Sequence, residues 1–473
     1  MAAALRDARD RLGEWRPTSP GVVVVGLIAL TVALVLGWGV WVLLAAIVIP
    51  TAVAVARRPQ RGIVLFALVL PFDGMIKVFG PGWADPWKQV WIAILLVLTF
   101  TCPPEARGPR GRKVPGWMPA FVGLLVLGLI SAVFVDRTTA LTGLRISYFS
   151  VLILVVIWRC PLDRRDRDQL ISVLLGLAIV TSLVGLWQQV VGHEYLADLG
   201  YQYDENIRFT VGLTLRSFST FNLPFSFGFF LMIALLAILP MAMAEPKRLR
   251  SKIFFVCLPL FAAGMVSSFV RGAMLGLAVG LLYLAFHRYK LLVYGIPLVL
   301  VAALFIPSSA TVTSAVFTST SLGERTTSWQ DRFEQIIDHP LGAGIGTTGA
   351  AADRTAIIKN ADRDATYQPD NSYLKVTFEL GVIGLWFLIA MLVSMFLQTR
   401  AVERRCEGID QDFVSGVSAQ WLAIITASLV ATYLELVPMD QYFWMMIGIV
   451  STMAPRLEEA PAIQAPDHVT ARL

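Results

Sequence analysis

Charge is scarce in this 473-residue chain: Asp, Glu, Lys and Arg make up 15% of it, against 56% hydrophobic residues. Soluble domains carry roughly 25% charged residues, so a water-soluble globular fold is excluded and an integral membrane protein is expected. Cysteine is scarcer still. Cys102, Cys160, Cys257 and Cys406 stand at no metal-ligand spacing, which excludes a thiolate metal centre, and reduced thiols are expected in place of a disulfide framework. A cleavable signal peptide is not evident, because the first apolar run follows Arg16-Pro17 and continues into a second one. The chain also lacks a short-period repeat and a pair of inverted, Gly/Pro-interrupted helices, the pattern of many secondary transporters.

What is present is apolar sequence in blocks. A transmembrane helix needs about 20 apolar residues, and candidate spans cover 21–37, 39–56, 62–79, 87–101, 117–135, 142–158, 169–191, 222–243, 252–269, 271–287, 290–306, 372–398, 414–434 and 439–454. The fold class expected is therefore all-α: a polytopic membrane bundle of twelve to fourteen transmembrane helices.

The formal charge of +6 is explained by topology, without nucleic acid as a partner. With the N-terminus inside, the basic clusters at 57–61, 107–113, 159–167, 247–252, 287–290 and 400–405 all fall in the cytoplasm. The alternate loops 80–86, 136–141, 192–221, 307–371 and 435–438 are poorer in clustered positive charge. That asymmetry is the positive-inside rule, and it predicts an N-in, C-in protein. The domains expected are a cytoplasmic tail over 1–20, a transmembrane bundle over 21–306 with an external loop at 192–221, a large external loop over 307–371, C-terminal helices over 372–454 and a cytoplasmic tail over 455–473.

Candidate chemistry gathers at the external ends of the spans. Arg271, in Ser268-Phe269-Val270-Arg271-Gly272-Ala273, stands in a tight turn between two spans, where the positive-inside bias would not put it. Snorkelling to lipid phosphate is one reading; a clamp on a lipid-linked phosphate is the other, since guanidinium grips phosphate oxygens bidentately. Arg216 lies just before another span, and a diphosphate needs more than one cation. Arg145 could be a third ligand.

Within 324–337, Trp329, Phe333, Ile336 and Ile337 recur at helical spacing and leave Arg325 and Arg332 off the apolar stripe, which predicts an amphipathic helix at the outer interface. The run Gly344-Ile345-Gly346-Thr347-Thr348-Gly349 matches Gly-x-Gly-x-x-Gly. It lacks the strand and βαβ unit that a dinucleotide site requires, so it reads as a loop that lets backbone approach a substrate or the bundle.

Asp370, Asn371 and Tyr373 open the span at 372–398. Asp370 either caps that helix or accepts a proton from an acceptor hydroxyl. Asp73, Arg145, Glu379 and Glu435 are the ionisable residues singled out within spans, and such residues are functional suspects. Glu435, at an external end, could line the same cavity.

In order along about residues 200–400, Arg216 with Phe221-Asn222-Leu223-Pro224, Ser268 to Ala273, Arg325…Trp329…His339-Pro340-Leu341-Gly342-Ala343-Gly344, and Asp370-Asn371-Ser372-Tyr373-Leu374…Glu379-Leu380-Gly381 resemble the O-antigen ligase and polymerase superfamily of bacterial membrane glycosyltransferases. The resemblance implies an all-helical enzyme of the bacterial cytoplasmic membrane. Its donor would be a polyprenyl-diphosphate-linked (undecaprenyl-type) glycan and its acceptor a glycan or other hydroxyl, used at the outer face without a metal, cofactor or nucleotide sugar.

It implies that Arg216 and Arg271 hold the diphosphate. It also places Asp370 where ligases of the family carry a histidine as proposed base, a departure that weakens the case for a lipid-A-core ligase and leaves room for a polymerase or another acceptor. The residues expected in catalysis are Asp370, Arg271 and Arg216, with Arg145, Arg325, Arg332, Asn371, Tyr373 and Glu435 in substrate binding. The competing readings are a transporter or flippase of a lipid-linked or anionic substrate, which would place its ligands near the midplane, and a scaffold component working with envelope-assembly partners.

Overall fold

The computed structural model describes residues 39–82, 85–108, 114–201, 210–211, 214–290, 292–293, 340–361, 367–369 and 371–453. The apolar run 21–37, most of 290–306, the expected amphipathic helix at 324–337 and both tails lie outside the described residues. The chain divides at Arg58 into two units, the first of which contributes the helix α1 (Gly39–Arg57).

The second unit is built almost wholly of helix. Its elements are α2 (Pro59–Val69), α3 (Asp73–Phe79), α4 (Trp87–Thr101), α5 (Met118–Ser131), α6 (Arg137–Tyr148), α7 (Leu152–Arg159) and α8 (Arg164–Asp198). After a two-stranded antiparallel ribbon, β1 (Thr210–Val211) and β2 (Thr214–Leu215), come α9 (Pro224–Ala244), α10 (Leu249–Val256), α11 (Leu258–Ser267) and α12 (Arg271–His287). The last are α13 (Gly349–Lys359), α14 (Ser372–Arg405), α15 (Gly408–Ala427) and α16 (Met439–Met453).

Every expected span that falls on described residues corresponds to one of these helices or to a broken pair of them. By length and composition, five segments among the described residues can cross a membrane: Pro59–Phe79, Arg137–Arg159, Arg164–Asp198, Pro224–Ala244 and Ser372–Arg405. The pair α10–α11, bent by 48° at Cys257, makes a sixth, and α4, α5 and α12 are apolar but shorter. The protein is thus an all-α polytopic membrane protein.

Helix α9 is the centre. It is apolar on every side, and a helix with no polar face must be surrounded: 89% of its most hydrophobic window is buried, against 39% in α14. It packs against α8, α12 and α15. Close approach is set by small residues. A Cβ on Gly276 would lie 2.5 Å from the Met232 sulfur, and one on Gly416 would lie 2.8 Å from the Leu236 carbonyl oxygen.

Ends of the bundle differ in how their charges are arranged. At the end carrying the basic clusters, Arg167 reaches Asp410 at 2.6 Å, Arg288 reaches Asp412 at 2.6 Å, Arg250 and Arg248 reach Asp168 at 2.7 and 2.9 Å, and Arg400 reaches Glu403 at 2.9 Å. Cys102 and Cys160 meet here as free thiols 3.7 Å apart. Burial, and next the neighbouring Cys102, push the Cys160 thiol up to about 12.

Candidate active site

At the opposite end, irregular backbone enters the bundle. Residues 217–221 are buried although they are not helical, which a membrane protein permits only where other protein groups satisfy the backbone. Gln188 does much of this: its Oε1 accepts from the Phe218 and Ser219 amides at 3.1 and 2.7 Å, and its Nε2 donates to the Ser219 carbonyl at 2.8 Å. Ser217 donates to the Gly185 carbonyl, Ser219 to that of Thr181 and Thr220 to that of Pro71. Gly74 lets this loop in, since a Cβ there would lie 2.3 Å from the Phe221 carbonyl.

The loop delivers Arg216 to the turn before α12. The Ser217 amide donates to the Ser267 carbonyl at 2.9 Å, and the Arg216 Nε donates to that of Ser268 at 3.4 Å. The guanidinium lies over the Phe225 ring, 4.9 Å from its centre. Phe269 takes a left-handed φ of 52°, and the Ser268 hydroxyl receives the Val270 amide, so the turn ends abruptly with Arg271 as the first residue of α12. Half-buried Arg216 feels exposed Arg271. Burial first, and the Arg271 charge second, pull the Arg216 guanidinium down from 12.5 to about 10. Two guanidiniums beside the positive end of a helix dipole make a place where an anion relieves repulsion.

A second constellation stands around the break in α14. Gly381 is left-handed, with φ 68°, and interrupts the helix. The carbonyls released there are taken by the glycine loop: the Ala343 and Gly344 amides donate to those of Phe378 and Glu379 at 2.8 and 3.0 Å. Gly381 and Gly342 must lack a Cβ, which would lie 2.2 Å from the Pro340 oxygen and 2.4 Å from the Glu379 oxygen respectively. The loop's other side meets α6, where a Cβ on Gly143 would lie 2.7 Å from the Gly346 Cα. The glycine run is thus a wedge between α6 and α14.

Just before the break, Lys375 and Glu379 pair at 2.8 Å, and Lys375 also reaches Glu435 at 2.9 Å. The Thr348 amide and hydroxyl donate to the Glu379 Oε1 at 3.2 and 2.9 Å, and the Ser147 hydroxyl donates to the Glu435 Oε1 at 2.7 Å. Sequence inspection singles out both glutamates but misses Lys375. The signal was available in its i, i+4 spacing from Glu379 within an apolar span.

The expected site residues are brought together unevenly. Arg216 and Arg271 converge from separate segments. Asn371 caps α14, its Oδ1 accepting from the Tyr373 and Leu374 amides at 2.8 and 3.2 Å, and the Tyr373 hydroxyl donates to the Ile425 carbonyl at 3.0 Å. Arg145 is exposed on α6, two residues from Ser147 and so on a different face. Asp370, Arg325 and Arg332 lie outside the described residues. Asp73 belongs to another ion pair, with Lys88 at 2.5 Å and Lys77 at 3.4 Å.

Two arginines thus converge beside a helix terminus, with a carboxylate–lysine cluster at the same end of a helical membrane protein. Comparison with known proteins makes this more specific. Residues 253–389 match the family model described as O-antigen ligase. The match takes in Arg271, the glycine loop, Lys375 and Glu379, while Arg216 and Glu435 lie beyond it. A protein of Salmonella muenchen described as O-antigen polymerase is 24% identical over 351 residues, which are 68% of this chain and 82% of that protein. Over these spans the chain is similar to the O-antigen ligase and polymerase proteins.

Proposed function

We propose that this protein is a glycosyltransferase that polymerises or ligates polyprenyl-diphosphate-linked oligosaccharide at the outer face of the bacterial cytoplasmic membrane, with polymerisation favoured over ligation. The observation that carries the reading is the convergence of Arg216 and Arg271 at the start of α12. A polyprenyl diphosphate leaving the anomeric carbon develops negative charge, and fixed guanidiniums stabilise it without reorganising. The acceptor hydroxyl attacks that carbon and gives its proton to a carboxylate of the same mouth. A single displacement of this kind inverts the anomeric configuration.

The outer face is supported by the basic clusters, which gather at the other end of the bundle, as the positive-inside rule expects of a cytoplasmic end. Polymerase is supported by the description of the Salmonella relative as an O-antigen polymerase and by the resemblance that sets Asp370 where ligases carry histidine. The test is reconstitution in liposomes with a polyprenyl-diphosphate oligosaccharide, following chain length and diphosphate release. Chain growth in wild type, lost in Arg216→Ala and Arg271→Ala, is the expected result. Wild-type-like product from both variants overturns the clamp.

A further inference from the structure

We propose that Glu435 is the catalytic base of this site, with Lys375 and Ser147 as its positioning residues. The proposal rests on the glycosyl-transfer reading above and names the group that takes the proton.

Glu379 and Glu435 differ in what their oxygens are doing. Glu379 is fully engaged: Oε2 accepts from Lys375, and Oε1 accepts from the Thr348 amide and hydroxyl. Glu435 is engaged on one side only. Its Oε1 accepts from both Ser147 and Lys375, whereas Oε2 is buried and has no hydrogen-bond partner among the described residues. An orphaned carboxylate oxygen in a protein interior is destabilising, and a catalytic role is one reason for a fold to keep it. One oxygen anchored and the other open is the geometry of a proton acceptor.

Its location fits. Glu435 closes the turn Tyr433–Glu435 in the segment joining α15 to α16. That segment lies against the residue after Arg271, since a Cβ on Gly272 would lie 2.9 Å from the Val430 side chain. It is also tied to the start of α9, where Ser226 donates to the Val437 carbonyl at 2.9 Å, beside the Phe225 ring under Arg216. Both arginines and Glu435 therefore sit on neighbouring walls. The Glu435 side chain is 13% exposed, against 4% for Glu379, so it is the less enclosed of the two glutamates.

In the step, the acceptor oxygen forms a bond to the anomeric carbon as the bond to the diphosphate oxygen breaks. That bond's electron pair stays on the diphosphate, which Arg216 and Arg271 hold. The acceptor's proton passes to Glu435 Oε2, giving a carboxylic acid that later releases the proton to water. No other reactant is needed.

The experiment uses the full chain in liposomes with a polyprenyl-diphosphate oligosaccharide as both donor and acceptor, and measures turnover and donor binding separately. Glu435→Gln keeps the shape and is expected to slow transfer by about 100-fold or more, with donor binding within about twofold. Glu435→Asp should recover part of the rate, which a purely structural role would not produce. Ser147→Ala should lower turnover several-fold without weakening donor binding, and Ser147→Thr should restore it. Normal transfer by Glu435→Gln, with the loss appearing in Asp370→Asn instead, overturns the assignment while leaving glycosyl transfer intact. Loss of donor binding in step with turnover overturns it as well. No transfer by wild type overturns the underlying reading and the base with it.

Discussion

The two ends of the bundle use arginine in opposite ways. At the end with the basic clusters, arginines are matched to acids: Arg167 with Asp410, Arg288 with Asp412, Arg250 with Asp168 and Arg400 with Glu403. The first three tie segments far apart in sequence together, and the last lies within α14. At the other end, Arg216 and Arg271 are set close enough for one charge to disfavour the other, while two glutamates share a single lysine. The first arrangement lowers the energy of the folded chain by itself. The second brings like charges near each other, as the depressed Arg216 guanidinium shows. Residue type alone therefore separates neither role; the partner does.

Substitutions can sharpen that contrast, and the largest effect is expected at the mouth. Arg271→Ala should reduce turnover by about 10²–10³, the usual loss on removing one donor to a developing anion, with the thermal unfolding midpoint in detergent nearly unchanged. Next comes the wedge. Gly381→Ala puts a Cβ 2.2 Å from the Pro340 oxygen at a left-handed φ, so unfolding measurements should show a loss of about 3 kcal/mol, with activity falling in proportion to folded protein.

At the opposite end, Arg288→Ala should lower stability by about 1–2 kcal/mol, since Asp412 is buried but Arg288 is partly solvated, and turnover per folded molecule should stay the same. Arg248→Ala, at a largely exposed pair, should change stability by less than about 1 kcal/mol. A turnover loss in Arg288→Ala comparable to that in Arg271→Ala would erase the distinction between the ends.

Much of the fold was legible because lipid leaves few options. Backbone must be satisfied within each segment, so runs of apolar residues read directly as helices, and the described helices fall where the runs do. The two arginines were legible because they break the charge asymmetry. The glycine run was legible as a close-approach loop, but its partner was not, because nothing local to 341–349 encodes the break at Gly381 that supplies the carbonyls. Lys375 was hidden by its apolar neighbours, and Gln188 by its chemistry. A neutral amide inside a helix carries no charge signal, and its role exists only once the loop at 217–221 is folded against it. Asn371 shows a different ambiguity: an amide beside a helix start reads equally as ligand or cap, and here it caps.

The burial of α9 bears on how the protein is made. This segment has a mean hydropathy of 2.4, ample for release from a translocon into lipid, yet in the finished molecule it touches almost nothing but other helices. Its lipid-soluble face is therefore a transient of biogenesis, present until α12 and α15 are synthesised and close around it. A hydrophobic photolabel applied to nascent chains truncated before α12 should mark Phe229 and Phe230 strongly, and the same reagent should leave them untouched in the completed protein.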